Sequence, residues 1–180
     1  MPRSKAILFW PVLGAVTATD AVTKSLAERL FPLPSLPHEV LGNTVQFTLV
    51  YNPGAAFGLN VGGYSRWIFM ALTVVALVIL ARLYAATRDG DLPRTLALAL
   101  VCGGALGNLI DRLRGGLGVV DFIDIGLRNA RWPTFNVADM AVSVGAILLA
   151  WVLWSEDREA SLAAVASSTA VGHGSAGQAP

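Results

Sequence analysis

The residues best suited to chemistry are two aspartates at the edges of apolar runs. Asp121 lies in VVDF, and Asp139 lies in FNVAD behind Asn136 and Ala138. An ionised carboxylate beside hydrocarbon is costly to keep and is a functional candidate by default. Two carboxylates brought together cannot both ionise easily, so one pKa rises and the pair shares a proton. One aspartate could then take a proton from water while the other gives one to a scissile carbonyl. The plainer alternative makes Asp139 a helix N-cap and Asp121 a solvated loop residue. The Asn and Arg residues that flank both positions favour the pair.

Those flanking residues fall in three further blocks. GGALGNLIDR carries Gly103, Gly104, Gly107, Asn108, Asp111 and Arg112. Gly103 and Gly107 have the small-xxx-small spacing that lets helix backbones approach closely. Asn108 and Arg112 are four apart and share a helix face, where they could orient a carboxylate or bind a headgroup. A helix end that merely snorkels is the competing reading for Asp111 and Arg112. Asp20 and Lys24 are also four apart, with the acid first, the better order for an ion pair. That pair is either a structural salt bridge or a support for the site. Asn52-Pro53-Gly54 is a turn signal after a candidate strand, and with Phe57 it could wall an extended peptide. The only histidines are His38 and His173, and neither HExxH nor GxSxG occurs. Metal and serine chemistry therefore lack their parts. The lone Cys102 sits in an apolar run and reads as a packing residue.

The elements that must position these groups are membrane spans. The 180 residues are 54% apolar and 14% charged, with a mean hydropathy of +0.60. A soluble domain carries about 25% charged residues. A net charge of +1 with no Lys/Arg cluster gives no basis for nucleic-acid binding. Apolar runs predict helices at about 6–30, 66–87, 94–113 and 137–155. The first could be a cleaved signal peptide, but it continues through Asp20, Lys24 and Arg29 without a clear end and reads as retained. FPLPSLP breaks the first helix. Residues 44–51 alternate in part and predict a strand, within a small β element at about 40–62. The segment holding Asp121 reads as a short polar excursion. Residues 156–180, rich in Ala, Ser and Gly, read as a mobile tail. Four spans put both termini on one side. Basic residues near the first helix and in the 2–3 loop favour a cytoplasmic side for them, with the polar site outside. A small transporter would need a polar path across the whole bilayer, whereas these polar residues gather at one end. A structural anchor subunit would not need Asn, Asp and Arg converging from separate segments.

Taken together, the five blocks resemble the bacterial lipoprotein signal peptidase (signal peptidase II) family. They are Asp20-Ala-Val-Thr-Lys24, Asn52-Pro-Gly54, Gly103 to Arg112, Val-Val-Asp121-Phe and Phe-Asn136-Val-Ala138-Asp139. The resemblance covers most of the chain up to Trp154. It implies an all-α membrane enzyme of four transmembrane helices with a small extracytoplasmic β element and a short periplasmic helix. It implies an aspartyl endopeptidase of the cytoplasmic (inner) membrane, working as a monomer without metal or organic cofactor. The substrate implied is a diacylglyceryl-modified prolipoprotein, held among membrane lipid and cut just before the lipidated Cys. By match to the family's motifs, Asp121 and Asp139 are the catalytic dyad. Asn108, Arg112 and Asn136 border it, and Asp20, Lys24, Asn52, Gly54 and Ala138 support it. Asp111 and Asp124 are set aside mainly by the motif.

Overall fold

Long uncharged runs must satisfy their backbone groups internally once in lipid, so they become helices. The computed structural model describes residues 4–31, 36–53, 62–115, 117–127 and 130–174. Its four long helices are α1 (Lys5–Leu30), α2 (Ser65–Ala86), α3 (Leu92–Arg114) and α4 (Val137–Gly174). Each is long and apolar enough to cross a membrane. Four strands, β1 (His38–Leu41), β2 (Val45–Asn52), β3 (Val119–Leu127) and β4 (Ala130–Arg131), form one antiparallel sheet in sequence order. The only short helix among the described residues is a single 310 turn, Gly62–Tyr64, leading into α2. Gly54 and Phe57 lie outside the described residues.

Helix α3 is the centre of the bundle. Asp91 caps its start by accepting the Arg94 N–H at 3.2 Å, with Pro93 in the first turn. Its small residues bury completely, as Ala97 and Ala99 do beside Leu98. With no side chains at Gly103, Gly104 and Gly107, α1 and α4 close on it directly. A Cβ at Gly104 would overlap the Ala138 carbonyl of α4, and one at Gly107 would lie 2.5 Å from the Asp20 carboxylate of α1. The other end of the bundle is tied by Lys5, whose ammonium donates to the carbonyls of Tyr84, Ala85 and Thr87 at 2.8, 3.1 and 2.6 Å. These carbonyls cluster at the C-terminus of α2, where a cation is favoured. Arg94 bridges Asp91 to Glu156 on α4 at the same end.

The sheet seats its apolar side on the far end of α1. Ala27, Leu49, Val120 and Phe122 form a buried cluster there, joined by Phe31, Phe47, Tyr51 and Ile123. Strict alternation cannot bury both Phe122 and Ile123 on one face. The backbone solves this with a β-bulge in the β2–β3 ladder, where Thr48 and Leu49 together stand opposite Phe122, and the N–H groups of Phe122 and Ile123 both donate to the Phe135 carbonyl at 3.1 and 2.8 Å. Asp121 before the bulge and Asp124 after it thus stand on the same, polar side. Asp121 is opposite Val50 and Asp124 opposite Gln46.

Two expectations are corrected. Asp121 is not in a loop but in β3, a strand whose signal was present in Val119, Val120, Phe122, Ile123 and Ile125 between Gly118 and Gly126. Nor does the fourth helix stop at 155, because α4 continues to Gly174. Residues 156–174 are rich in alanine, the best helix former, and contain no proline to end the helix.

The α3 contacts give a direct test. Gly104→Ala should lower the thermal midpoint in detergent by several degrees, because backbone on α4 must move. Gly14→Ala, on α1 with nothing within 4 Å of the added carbon, should leave it unchanged or raise it, alanine gaining about 0.5–1 kcal/mol in a helix. Equal midpoints for the two variants would refute close α3–α4 packing at Gly104.

Candidate active site

The site assembles where the ends of α1 and α3 meet β3 and the start of α4. Asn136 is its fully buried centre, with no exposed surface. It is the N-cap of α4. Its side-chain oxygen accepts the Asp139 N–H at 2.9 Å, and the Asp139 carboxylate accepts the Asn136 N–H at 3.3 Å. This is a reciprocal capping box with Asp in place of the usual Glu. The cap is thus Asn136, and Asp139 is the third residue of the first turn. The amide of Asn136 is turned toward β3. It donates to Asp121 Oδ1 at 2.6 Å, to the Val120 carbonyl at 3.2 Å and to Asn108 Oδ1 at 3.2 Å.

One residue therefore joins both carboxylates. Asn52 donates to Asp121 Oδ2 at 3.2 Å from the end of β2, and Asn108 donates to Asp139 Oδ1 at 2.8 Å from α3. Asn52 is placed by a close crossing, since Gly118, at φ +110°, leaves no room for a side chain against the Asn52 carbonyl. Asp121 is 3% exposed, and its burial raises its pKa. The charge of Asp139 raises it further, and the amides of Asn52 and Asn136 with the charge of Lys24 hold it back. The balance leaves Asp121 at about 7. Asp139 is half-buried and opens onto a cavity of about 370 Å³ lined also by Trp132, Phe135, Met140, Ser143 and Val144.

Beneath the pair lies a buried cation. Lys24 is 3% exposed and meets Asp20 Oδ2 and Asp111 Oδ2, each at 2.7 Å, and donates to Asn108 Oδ1 at 2.9 Å. Asp20 in turn accepts the Ala138 N–H at 2.9 Å, one of the orphan donors at the start of α4. Asp111 accepts the Val120 N–H at 3.3 Å. Asp20, Lys24, Asn52, Asn108, Asn136, Ala138, Asp121 and Asp139 thus converge from five segments. The Asp20–Lys24 spacing was legible, but Asp111 as the second acid on Lys24 was not, because that contact crosses from α1 to α3.

Arg112 borders the group. Its Nη1 donates back to the Asn108 carbonyl at 3.1 Å, while its Nε is buried with no hydrogen-bond partner among the described residues. It lies in the field of Asp139, Asp121 and Asp111 without a direct ion pair among the described residues. Asp124 is elsewhere on the sheet, bonded to Arg131 at 2.7 Å and to Thr48 at 3.3 Å. Among the described residues no three His, Cys, Asp or Glu side chains are grouped to hold a metal ion. What the geometry can do is acid–base chemistry at the mouth of a cavity bordered by apolar side chains.

Known proteins share this architecture. A family model described as signal peptidase (SPase) II matches residues 12–155. A lipoprotein signal peptidase of Paraburkholderia phytofirmans is 46% identical over 144 residues, covering 77% of this chain and 81% of that protein. One from Moorella thermoacetica is 48% identical over 140 residues, covering 77% and 87%. Two solved structures, each described as a bacterial membrane enzyme determined by the in meso method, superpose well. One has a TM-score of 0.77 at 28% identity, covering 87% of this chain and 93% of that one. The other has 0.74 at 30%, covering 84% and 96%.

Removing the buried cation should expose its structural weight. Lys24→Met leaves Asp20 and Asp111 facing each other with no neutralising charge. Breaking a buried pair in this way costs about 3–5 kcal/mol. A large fall in thermal midpoint is expected in detergent, and a wild-type midpoint would show that Lys24 does not hold the site together.

Proposed function

The chain belongs to the signal peptidase II family, and from that premise we propose that it removes signal peptides from diacylglyceryl-modified prolipoproteins by an aspartyl dyad. It is a multi-pass membrane peptidase. The observation that carries the reading is the linkage of Asp121 and Asp139 through Asn136, with Asp121 poised at about 7. One carboxyl that keeps its proton and one that does not are what peptide hydrolysis by a carboxylate pair requires.

In the proposed cycle Asp121 enters protonated and Asp139 enters as the carboxylate. Asp139 takes a proton from a water as its oxygen bonds to the scissile carbonyl carbon. Asp121 gives its proton to the carbonyl oxygen, which yields a neutral tetrahedral intermediate. Collapse breaks the C–N bond, the amine leaves with a proton from Asp139, and Asp121 regains its own from the collapsing hydroxyl. Asn52 and Asn136 fix Asp121, and Asn108 fixes Asp139, so little reorganisation accompanies the chemistry. Arg112 is the cation that faces the substrate, its Nη1 held on the Asn108 carbonyl. Asp20, Lys24 and Ala138 support this group.

The proposed cleavage point is the bond just before the lipidated Cys. That bond stands at the membrane surface because the acyl chains are anchored in the bilayer, and a dyad at the helix ends matches that depth. The exposed Trp132 and Met140 near Asp139 suit a boundary between lipid and water. The proposed orientation places both termini in the cytoplasm and the sheet outside.

The test is cleavage of a diacylglyceryl prolipoprotein by the purified protein in lipid. Asp121→Asn and Asp139→Asn should fold and lose activity by about 10³-fold, the usual weight of an acid–base group. Near-normal activity in either variant would remove that residue from the dyad. The sign of the pH dependence also follows. Asp121 must be protonated at the start, so kcat/KM should fall as pH rises through about 7. A rate that climbs steadily across that range would contradict a protonated Asp121.

A further inference from the structure

Helix α2 is the least integrated of the four, burying only Ser65 and Leu80. Yet its first turn reaches the site. Arg66 Nε donates to the Arg112 carbonyl at 2.7 Å, and the Arg66 guanidinium stands 5.4 Å from the Trp67 ring centroid. The Arg112 carbonyl belongs to the last turn of α3, where no following helical N–H exists to bond it. The neighbouring Asp111 carbonyl takes the Gly115 N–H at 3.1 Å, and the Arg112 carbonyl takes its donor from the Arg66 side chain.

That last turn is where α3 delivers its functional side chains. Arg112 curls back on the Asn108 carbonyl with its Nε unpartnered, and Asn108 bonds both Lys24 and Asp139. A displacement of the Arg112 backbone would move the guanidinium directly and Asn108 through it. We propose that Arg66 is a positioning residue for the peptidase reaction, holding the end of α3 so that Arg112 meets the substrate. Its role is carried by the Nε–H donor and not by its charge. The inference rests on the reading of Arg112 given above. It makes α2 part of the catalytic apparatus although it contributes no group to the dyad network.

The chemistry of the side chain allows a clean test. Glutamine places its amide nitrogen as many bonds from Cα as the arginine Nε, so Arg66→Gln keeps the donor and loses the charge. Arg66→Met keeps the length and loses both. Misplacement of a substrate-orienting group by a fraction of an ångström commonly costs one to two orders of magnitude. We expect Arg66→Met to lower kcat about tenfold with KM within about twofold, and Arg66→Gln to stay within about threefold of wild type. Hydrogen exchange at Leu113 to Gly115 should quicken in Arg66→Met and not in Arg66→Gln, a readout that needs no catalysis. A wild-type kcat in Arg66→Met, or an equal loss in both variants, would overturn the proposal. So would a loss that merely follows a lowered thermal midpoint and vanishes on cooling. Asp121→Asn, run alongside, separates failure of this inference from failure of the peptidase reading. If that variant still cleaves, the dyad is wrong whatever Arg66 does, and the exchange data still decide whether Arg66 holds the helix end.

Discussion

The structure depends on keeping one ammonium charge out of water. Lys24 is enclosed by two carboxylates and an amide oxygen. An isolated buried charge is prohibitive, and a buried pair is tolerable only when the remaining polar atoms are satisfied. Here satisfaction comes from three other elements. Asp20 reaches the first turn of α4, Asp111 reaches β3, and Asn108 reaches Asp139. The ion cluster therefore sets the relative positions of α1, α3, α4 and the sheet. The glycines of α3 follow from the same constraint, because Asp20 can reach Ala138 only if Gly107 has no side chain in the way.

The network divides its labour by charge. Lys24, with its acids, lies below, fully engaged. Asp121 and Asp139 lie above, held by neutral amides that orient a carboxylate without neutralising it. An arginine fork in direct contact with Asp121 would favour its ionised form. Asn52 and Asn136 do so less strongly, and burial and the neighbouring acid prevail. Arg112 is near without forming an ion pair among the described residues, its Nη1 held on the Asn108 carbonyl.

The four spans could be read from composition, and the two aspartates from the cost of placing them at lipid edges. The α1 ion pair could be read from spacing alone. Other features were hidden for physical reasons. β3 escaped because VVDFIDI breaks period-two alternation at a bulge, and that bulge is fixed by the partner backbones, β2 between Phe47 and Val50 and the Phe135 carbonyl, not by the strand's own residues. Asp111 and Arg66 escaped because their partners lie on other helices, beyond any periodicity in one segment. The choice of Asp121 over Asp124 could not be made from residue types, since both are buried acids on one side of the same strand. Their neighbours differ, Arg131 pairing with Asp124 while the amides of Asn52 and Asn136 hold Asp121 among the described residues.

The double duty of Asn136 bears on the order in which the protein is made. Translation delivers the chain from its N-terminus at about 5–20 residues per second. Asp20, Asn52, Asn108 and Asp121 all emerge before α4. Asn136 and Asp139 belong to the opening turn of that last helix, and the bonds that cap the helix are the bonds that join the two aspartates. A nascent chain with three spans in place holds one carboxylate without its partner. The junction between the two aspartates thus forms only when the final span winds.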